Sequence, residues 1–440
     1  MTMMNFELLF QTAKEKGCSD VSVFLTNRSE LSIEVFDGAL DKYEIADTAS
    51  MVVRGVYNGK MGTFVTEVLD DKMIPSIVDA IIESAKIIDS LDDAIIYAGD
   101  KEYVKLEGLV NEDLKNQDVA LKIAAVKELD QAMHAADPKV TIVETMYSET
   151  TRRVLLQNTK GLKLENSVNS AMFGGSAIVK DDTDQRTAFD LVVSNDPKDF
   201  NAAKLAKSIV SDAVAALGAK PVPTGTYEIV FHADALATLL SAFQGIFSAE
   251  TVQKNMSLLK GKLNTVVGSP IVSIVDDPFQ KKSSRSRSFD DEGVATKYKA
   301  LIDKGELKTY LYNLVTAKKD GVASTGNGFG NAIAPINLKF LPGSSKLDEL
   351  VKSCHDGLFI KDVQGAHAGA NPISGDFSLQ ASGFVVKDGV IGAPVALVTV
   401  AGNFIQMMKD VVLVADDLKT GYYGITTPSI KVASMAVAGI

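Results

Sequence analysis

Met51-Val52-Val53-Arg54-Gly55-Val56-Tyr57-Asn58-Gly59-Lys60-Met61-Gly62-Thr63-Phe64-Val65 carries the clearest local fold signal in the chain. Two β-prone runs flank Asn58-Gly59, a dipeptide whose tolerance of positive φ suits a type I′ turn, so the stretch predicts an antiparallel hairpin. Upstream, Val21, Val23 and Leu25 alternate with polar neighbours, as do Leu31, Ile33 and Val35. The turn chemistry of Asn27-Arg28-Ser29 between them predicts a second hairpin. Met1 to Gly17 has helical apolar periodicity interrupted by Glu7, Lys14, Glu15 and Lys16. Lacking a basic start, a long apolar run and a cleavage site, it is expected to be a helix of the fold and not an export signal.

Working downstream, Ile74, Ile77, Val78, Ile81, Ile82, Ala85 and Ile88 fall at helical spacing and predict an amphipathic helix over 71–89; another is predicted over 117–135. Strands are expected at Val140 to Met146, Arg153 to Gln157, Lys163 to Ile178 (broken near Gly174-Gly175) and Ala188 to Val193. Pro197 opens a helical segment through Leu205, Ile209 and Leu217, closed by Gly218 as a left-handed cap. The prolines of Lys220-Pro221-Val222-Pro223 then exclude helix and break strand pairing. The expected division is therefore residues 1–219, a connector 220–223, and residues 224–440.

The second part mixes strands with helices and lacks regular βα alternation. Strands are expected at Tyr227 to Phe231, Ile271 to Val275, Phe377 to Val386, Val395 to Val400, Val411 to Val414 and Ile430 to Met435, and helices at Asp234 to Phe247 and Lys346 to Cys354. The expected class is α+β: an N-terminal domain with antiparallel hairpins and a C-terminal, mostly antiparallel sheet with helices.

Composition narrows the function classes. A chain of 440 residues exceeds what one core of ~250–300 residues usually holds, which favours two domains. No window approaches the ~18 consecutive apolar residues of a membrane helix. Two cysteines, Cys18 and Cys354, exclude a disulfide framework and point to a reducing compartment, so the cytoplasm is expected. The net charge of −11 argues against a nucleic acid as partner, because phosphate binding depends on many cations releasing counterions.

Local chemistry is sparse. The four histidines, His134, His232, His355 and His367, are scattered, so no pair one helical turn apart is available to zinc. Cys354-His355-Asp356 are consecutive, and consecutive side chains diverge, so they read as a cysteine at a helix end. No nucleophile elbow and no G-x-G-x-x-G occurs. Lys281 to Arg287 reads as a solvated, mobile basic loop, and Ser324-Thr325-Gly326-Asn327 as a loop where backbone approaches another chain or a ligand closely.

Several short strings stand in one order: Phe289-Asp290-Asp291-Glu292-Gly293-Val294, Leu307-Lys308-Thr309-Tyr310-Leu311, Ser324-Thr325-Gly326-Asn327 and Asn371-Pro372-Ile373-Ser374-Gly375-Asp376-Phe377. With Arg54 to Gly62, they make the chain resemble the TldD/PmbA family of metalloprotease-related proteins, also called modulators of DNA gyrase. In that family's protease subunits, a helix after the first strand of the last domain bears H-E-x-x-x-H, and a late Cys completes the zinc ligands. The corresponding stretch here is Ser241-Ala242-Phe243-Gln244-Gly245-Ile246, and Thr420 to Pro428 has no Cys.

The resemblance therefore implies the PmbA/TldE branch: a non-catalytic subunit with no catalytic residue and no metal of its own. Ser241, Ala242 and Ile246 stand at the degenerate metal positions, and zinc is expected only in a TldD-type partner. The implied partners are a TldD-type subunit or a second copy, in a dimer that processes peptides. An extended peptide would lie along Ser324, Thr325, Gly326 and Asn327 and along Gly375, Asp376 and Phe377. The alternatives are an autonomous peptidase of the same family and a regulatory binding protein acting on gyrase.

Overall fold

The computed structural model describes residues 4–89, 92–330 and 332–440. The N-terminal helix α1 (Phe6–Glu15) starts where the Asn5 side chain accepts from the Leu8 amide, and it buries Phe6, Leu9 and Ala13. The first three residues of the expected helix lie outside the described residues.

One six-stranded antiparallel sheet follows, from β1 (Asp20–Phe36), β2 (Ala39–Tyr57), β3 (Lys60–Thr66), β4 (Val140–Asn158), β5 (Lys163–Lys180) and β6 (Gln185–Ser194), in the order β3-β2-β1-β4-β5-β6. The Asn58-Gly59 hairpin is as read: both residues have positive φ, and Tyr57 pairs with Lys60. Helix α2 (Ile74–Ile87) turns Ile74, Ile77, Val78, Ile81, Ile82 and Ala85 into a core with Val21, Val23, Met51 and Val53. Helices α3 (Glu112–Asn116), α4 (Val119–Ala136) and α5 (Ala202–Ala215) follow; α4 and α5 cover Ile33, Val35, Tyr147 and Phe173 nearer the far end of the sheet. Pro197 opens only a 3-10 turn, Pro197–Asp199, and Gly218 is left-handed (φ 73°) just past α5.

Three expected breaks in this sheet are absent. Asn27, Arg28 and Ser29 form no turn: they pair with Ala49, Thr48 and Asp47 on one side and with Arg153, Arg152 and Thr151 on the other. A ladder on both edges satisfies every backbone group and outweighs local turn preference. The real turn is Asp37-Gly38, both at positive φ (44° and 80°). Likewise Tyr147 to Arg152 continue β4 between β1 and β5. Gly174-Gly175 do not interrupt β5; a Cβ on Gly174 would lie 2.5 Å from the Asp190 carbonyl, so glycine there permits tight pairing with β6.

The C-terminal half supplies β7 (Gly225–Phe231), β8 (Ile274–Asp276), β9 (Lys299–Asp303), β10 (Glu306–Leu307), β11 (Gly328–Phe329), β12 (Ala332–Ile333) and β13 (Leu338–Phe340). Then come β14 (Asp356–Gln364), β15 (Asp376–Lys387), β16 (Val390–Asn403), β17 (Val411–Val414), β18 (Lys419–Thr420), β19 (Thr426–Thr427) and β20 (Ile430–Ala438). They form two six-stranded sheets, β10-β9-β8-β13-β19-β18 and β16-β15-β14-β7-β20-β17, and the hairpin β11-β12. Within the second sheet only β14 and β7 pair in parallel, so the class is α+β with mainly antiparallel sheets.

Helix α6 (Ala233–Phe243) follows β7 and is almost wholly buried through Leu236, Leu239, Leu240 and Phe243. It stops at Phe243, and Gln244–Phe247 tighten to a 3-10 turn, shorter than the helix expected through Phe247. Ile271 is exposed and precedes β8. Of the basic loop, Ser286 and Arg287 are buried, which corrects its reading as fully solvated: Lys282 pairs with Asp196 and Asp199 of the N-terminal half and anchors it. No helix among the described residues is long and apolar enough to cross a membrane.

Candidate functional site

Four of the five quoted strings meet in space. Asp276, at the end of β8, is fully buried and saturated: Oδ1 accepts from the amides of Ile336 (2.7 Å) and Asn337 (3.0 Å), and Oδ2 from Asn327 Nδ2 (2.7 Å) and Lys299 Nζ (3.0 Å). Asn327 Oδ1 accepts from Lys299 Nζ (2.9 Å) and Thr325 Oγ1 (2.8 Å), while its Nδ2 also donates to the Ala334 carbonyl (2.9 Å). Burial holds the Lys299 ammonium below its usual range, and Asp276 opposes that shift.

Ser324 and Thr325 fasten the loop to the 307–313 segment. Ser324 Oγ donates to the Tyr312 carbonyl (3.0 Å), and the Tyr312 amide donates to Thr325 Oγ1 (2.7 Å). Asp290 supports the loop from below, accepting from the amides of Gly328 (2.9 Å), Val294 (2.9 Å) and Glu292 (3.0 Å). Burial, and then the neighbouring Glu292, push the Asp290 carboxyl up to about 7. Glu292 accepts from the Leu314 amide (2.8 Å), and Arg54 of β2 reaches the Gly330 carbonyl (3.2 Å), bringing the N-terminal string to the same place.

Gly326 has φ 72°, and a Cβ there would stand 2.8 Å from the Ala295 carbonyl oxygen. The close approach it permits is that of this chain's own backbone. Asn327 is fully buried; Ser324 and Thr325 are half-buried.

The fifth string lies apart, at the start of β15. The Asn371 side chain accepts from the amides of Ile373 (2.9 Å) and Ser374 (3.3 Å). Asn403 Nδ2 donates to the Ser374 carbonyl and to Asp376 Oδ1, both at 3.0 Å, and holds the exposed Asp376 carboxyl below its usual range. Gly375 has φ 87°, and the space beside it is taken by the Asn403 amide, 3.0 Å from a built Cβ.

Phe377 turns inward, edge-on to Phe243 of α6 at 6.2 Å; Phe243 in turn stacks on Phe404 at 4.4 Å. The structure thus packs Phe377 against Phe243, inside the stretch that holds the degenerate metal positions, and leaves Ser324 to Asn327 in a different network. The link between the two is the 3-10 turn after α6, where the Leu311 amide donates to the Phe247 carbonyl (2.8 Å).

The donor set at the degenerate positions does not fit zinc. Ser241 Oγ donates within its own helix to the Thr238 carbonyl (2.7 Å), Ala242 has no donor, and Ile246 is fully buried in the core. Ala242 and Ile246 are also separated by the end of α6, so helical spacing is lost between them. Among the described residues no group of three or more His, Cys, Asp or Glu side chains is placed to hold a metal ion. Cys354 packs with Val230, Leu350 and Val386, and burial pushes its thiol up to about 12.

Sequence reasoning missed Asp276, Lys299 and Asn403. Nothing local marks them; each acquires its role through partners far away in the chain.

Three family models match in succession: PmbA/TldA metallopeptidase domain 1 over residues 21–88, the central domain over 112–217 and the C-terminal domain over 224–439. A metalloprotease PmbA homolog of Buchnera aphidicola is 32% identical over 60% of this chain; the chain spans 58% of that relative's length. A metalloprotease of Methanocaldococcus jannaschii is 23% identical over 98% of this chain and 97% of its own length. The crystal structure of a candidate modulator of a DNA gyrase from Thermotoga maritima superposes with a TM-score of 0.92 at 34% identity, over 98% of this chain and 99% of that one. TldE of Thermococcus kodakarensis, at 20% identity, shares the fold with a TM-score of 0.89 over 99% of this chain and 100% of its own. The chain belongs to the PmbA/TldD metallopeptidase family.

Proposed function

We propose that this chain is the non-catalytic, PmbA/TldE-type subunit of a peptide-processing assembly whose metal is carried by a TldD-type partner. The observation that carries the reading is the end of α6: hydroxyl, methyl and buried butyl groups stand where metal ligands and a general base would be needed. Without them this chain has no means there of lowering the pKa of a bound water or polarising a peptide carbonyl. What remains is a packed shelf of Phe243, Phe377 and Phe404 beside a rim on which Asn371, Ile373, Ser374 and Asp376 are exposed and to which Asn403 is hydrogen-bonded.

In this proposal the rim guides an extended peptide toward the partner; of the expected groove residues Gly375, Asp376 and Phe377, only Asp376 is exposed to meet it, and the buried Gly375 and Phe377 support the rim from within. Ser324 and Thr325 are the only members of the other loop that solvent reaches; Gly326 and Asn327 hold that loop in place. The assembly is a cytoplasmic dimer of unlike subunits.

The test is co-expression with a TldD-type subunit of the same genome. The two should co-purify and cleave an unstructured peptide, while this chain alone cleaves nothing at the same concentration. Cleavage by the isolated chain, lost on chelation, would favour an autonomous peptidase and overturn the proposal.

A further inference from the structure

One face of the N-terminal sheet meets the C-terminal half through an apolar patch: Val154, Leu156, Leu162, Phe24 and Leu164 pack around Phe289. Because strand side chains repeat every second residue, the same face continues to Arg28 on β1 and Arg152 on β4, which stand directly opposite each other in the ladder. From the other side, the loop that delivers Phe289 brings Arg285 and Arg287. Four guanidinium groups therefore gather at the seam of a chain whose net charge is −11.

Carboxylates answer only part of this charge. Arg287 Nη2 donates to Asp291 (2.9 Å) and Arg28 pairs with Glu30. Arg285 Nη1 donates only to the Tyr423 carbonyl (3.1 Å), and Arg152 has neither a hydrogen bond nor an ion pair among the described residues. Arg152 is half-buried and Arg285 exposed, and protein crowds the guanidinium of each enough to disfavour its charge. That crowding, and then the charge of Arg287, pull Arg152 down to about 10, with Asp291 opposing and Arg28 and Arg285 adding to the repulsion.

The second observation is an orphan donor. Arg287 is 6% exposed, and its Nε has no hydrogen-bond partner among the described residues. Its guanidinium lies 4.9 Å from the Phe329 ring, which accounts for the flat face of the group but not for the N–H at its edge. Buried donors are normally paired, and an unpaired one marks a missing acceptor.

A second orphan lies close by. Asn166, diagonal to Arg152 through Val168 on β5, is buried with its Nδ2 unpartnered. It lines a cavity of about 360 Å³ with Lys105, Glu165, Ser167 and Ser288, the last of these between Arg287 and Phe289 in the chain.

We propose that this seam is a binding site for the carboxylate or phosphate group of a small ligand, with Arg152 and Arg287 holding the oxyanion and the adjoining cavity receiving the rest. The guanidinium fork presents paired N–H donors in the geometry of such groups, and an anion there relieves the mutual repulsion of the arginines. The cluster is contributed by both halves of the chain, so occupancy ties the N-terminal sheet to the 285–289 loop. The proposal stands independently of the peptide-processing role.

The test uses the full chain at low ionic strength. Inorganic phosphate, a short N-acetylated neutral peptide with a free C-terminal carboxylate, and the same peptide as its amide are titrated by calorimetry, and thermal unfolding is followed in parallel. Saturable binding is expected for phosphate or for the free acid but not the amide, with a raised Tm. Whichever probe binds identifies the source of the oxyanion.

Arg152→Gln is expected to weaken that binding by about tenfold or more, the loss of one charge-assisted hydrogen bond, without lowering the Tm of the unliganded chain. Arg285→Gln, which removes a neighbouring positive charge but no group that holds the oxyanion, serves as a second variant and should weaken the binding by a smaller factor. Absence of saturable binding by both anions, or affinities unchanged in both variants, overturns the proposal.

Discussion

Changing Asp276 to Asn isolates the buried network beneath the 324–327 loop. The substitution keeps volume and leaves one oxygen for the Ile336 and Asn337 amides, but it places an NH2 group against two donors, Asn327 Nδ2 at 2.7 Å and Lys299 Nζ at 3.0 Å. It also strips the counter-charge from an ammonium whose side chain is 11% exposed.

Removing one member of a buried pair costs about 3–5 kcal/mol, a large share of a marginal stability of about 5–15 kcal/mol. In urea, followed by circular dichroism, the midpoint should fall by about 1–2 M, taking a slope of about 3 kcal/mol/M, the upper end of the small-protein range, because the slope rises with chain size. Lys299→Met in the same chain removes the stranded charge and should recover about 1–3 kcal/mol in a double-mutant cycle. A Asp276→Asn midpoint equal to the parent's, or strictly additive effects of the two changes, would show that the pair is not the unit described.

Gly326→Ala should lose about 2–4 kcal/mol, combining left-handed strain with a Cβ forced against the Ala295 carbonyl; an unchanged Tm would refute the backbone contact. Asp290 titrates near 7 in the folded chain and at an ordinary carboxyl value when unfolded, so folding favours its neutral form. Its contribution is full below about pH 4 and is lost as pH rises through about 7. Asp290→Asn should flatten that part of the stability–pH curve, and a parallel curve for the variant would count against the assignment. Asn403→Ala should loosen the 371–376 rim and speed its amide hydrogen exchange while leaving the Asp276 network protected; uniform exchange changes would contradict the separation of the two. Metal analysis of the isolated chain should find far less than one zinc per molecule, and a stoichiometric zinc lost in His232→Ala would overturn the reading of α6.

What the sequence made legible was what local chemistry decides. Asn58-Gly59 turned where expected because both residues accept positive φ, and α2 formed on its apolar face. Asn27 to Ser29 misled because their turn preference is local, whereas the ladders on both sides of β1 come from residues near position 50 and near position 150. The Asp37-Gly38 turn carries the same type of signal as Asn58-Gly59, a dipeptide that accepts positive φ at both residues.

At the candidate site, the strings at 289–294, 307–311 and 324–327 were visible as strings, but their convergence on Asp276 and Asp290 depends on contacts between distant segments. The arginine seam was still less visible. Arg28 and Arg152 become neighbours only through strand register, and Arg285 and Arg287 through the docking of one half on the other.

The placing of β7 has a consequence for how the chain is made. It lies inside its sheet between β14 and β20, so both of its hydrogen-bonding edges are filled by strands that leave the ribosome later, and one of them at Ile430–Ala438. At ~5–20 residues per second, β7 waits for tens of seconds as an apolar strand with open edges, the condition under which chains pair with one another. Folding of the C-terminal half is gated by its final strand, and a chain truncated before Ile430 should be a client for chaperones and not a smaller working protein.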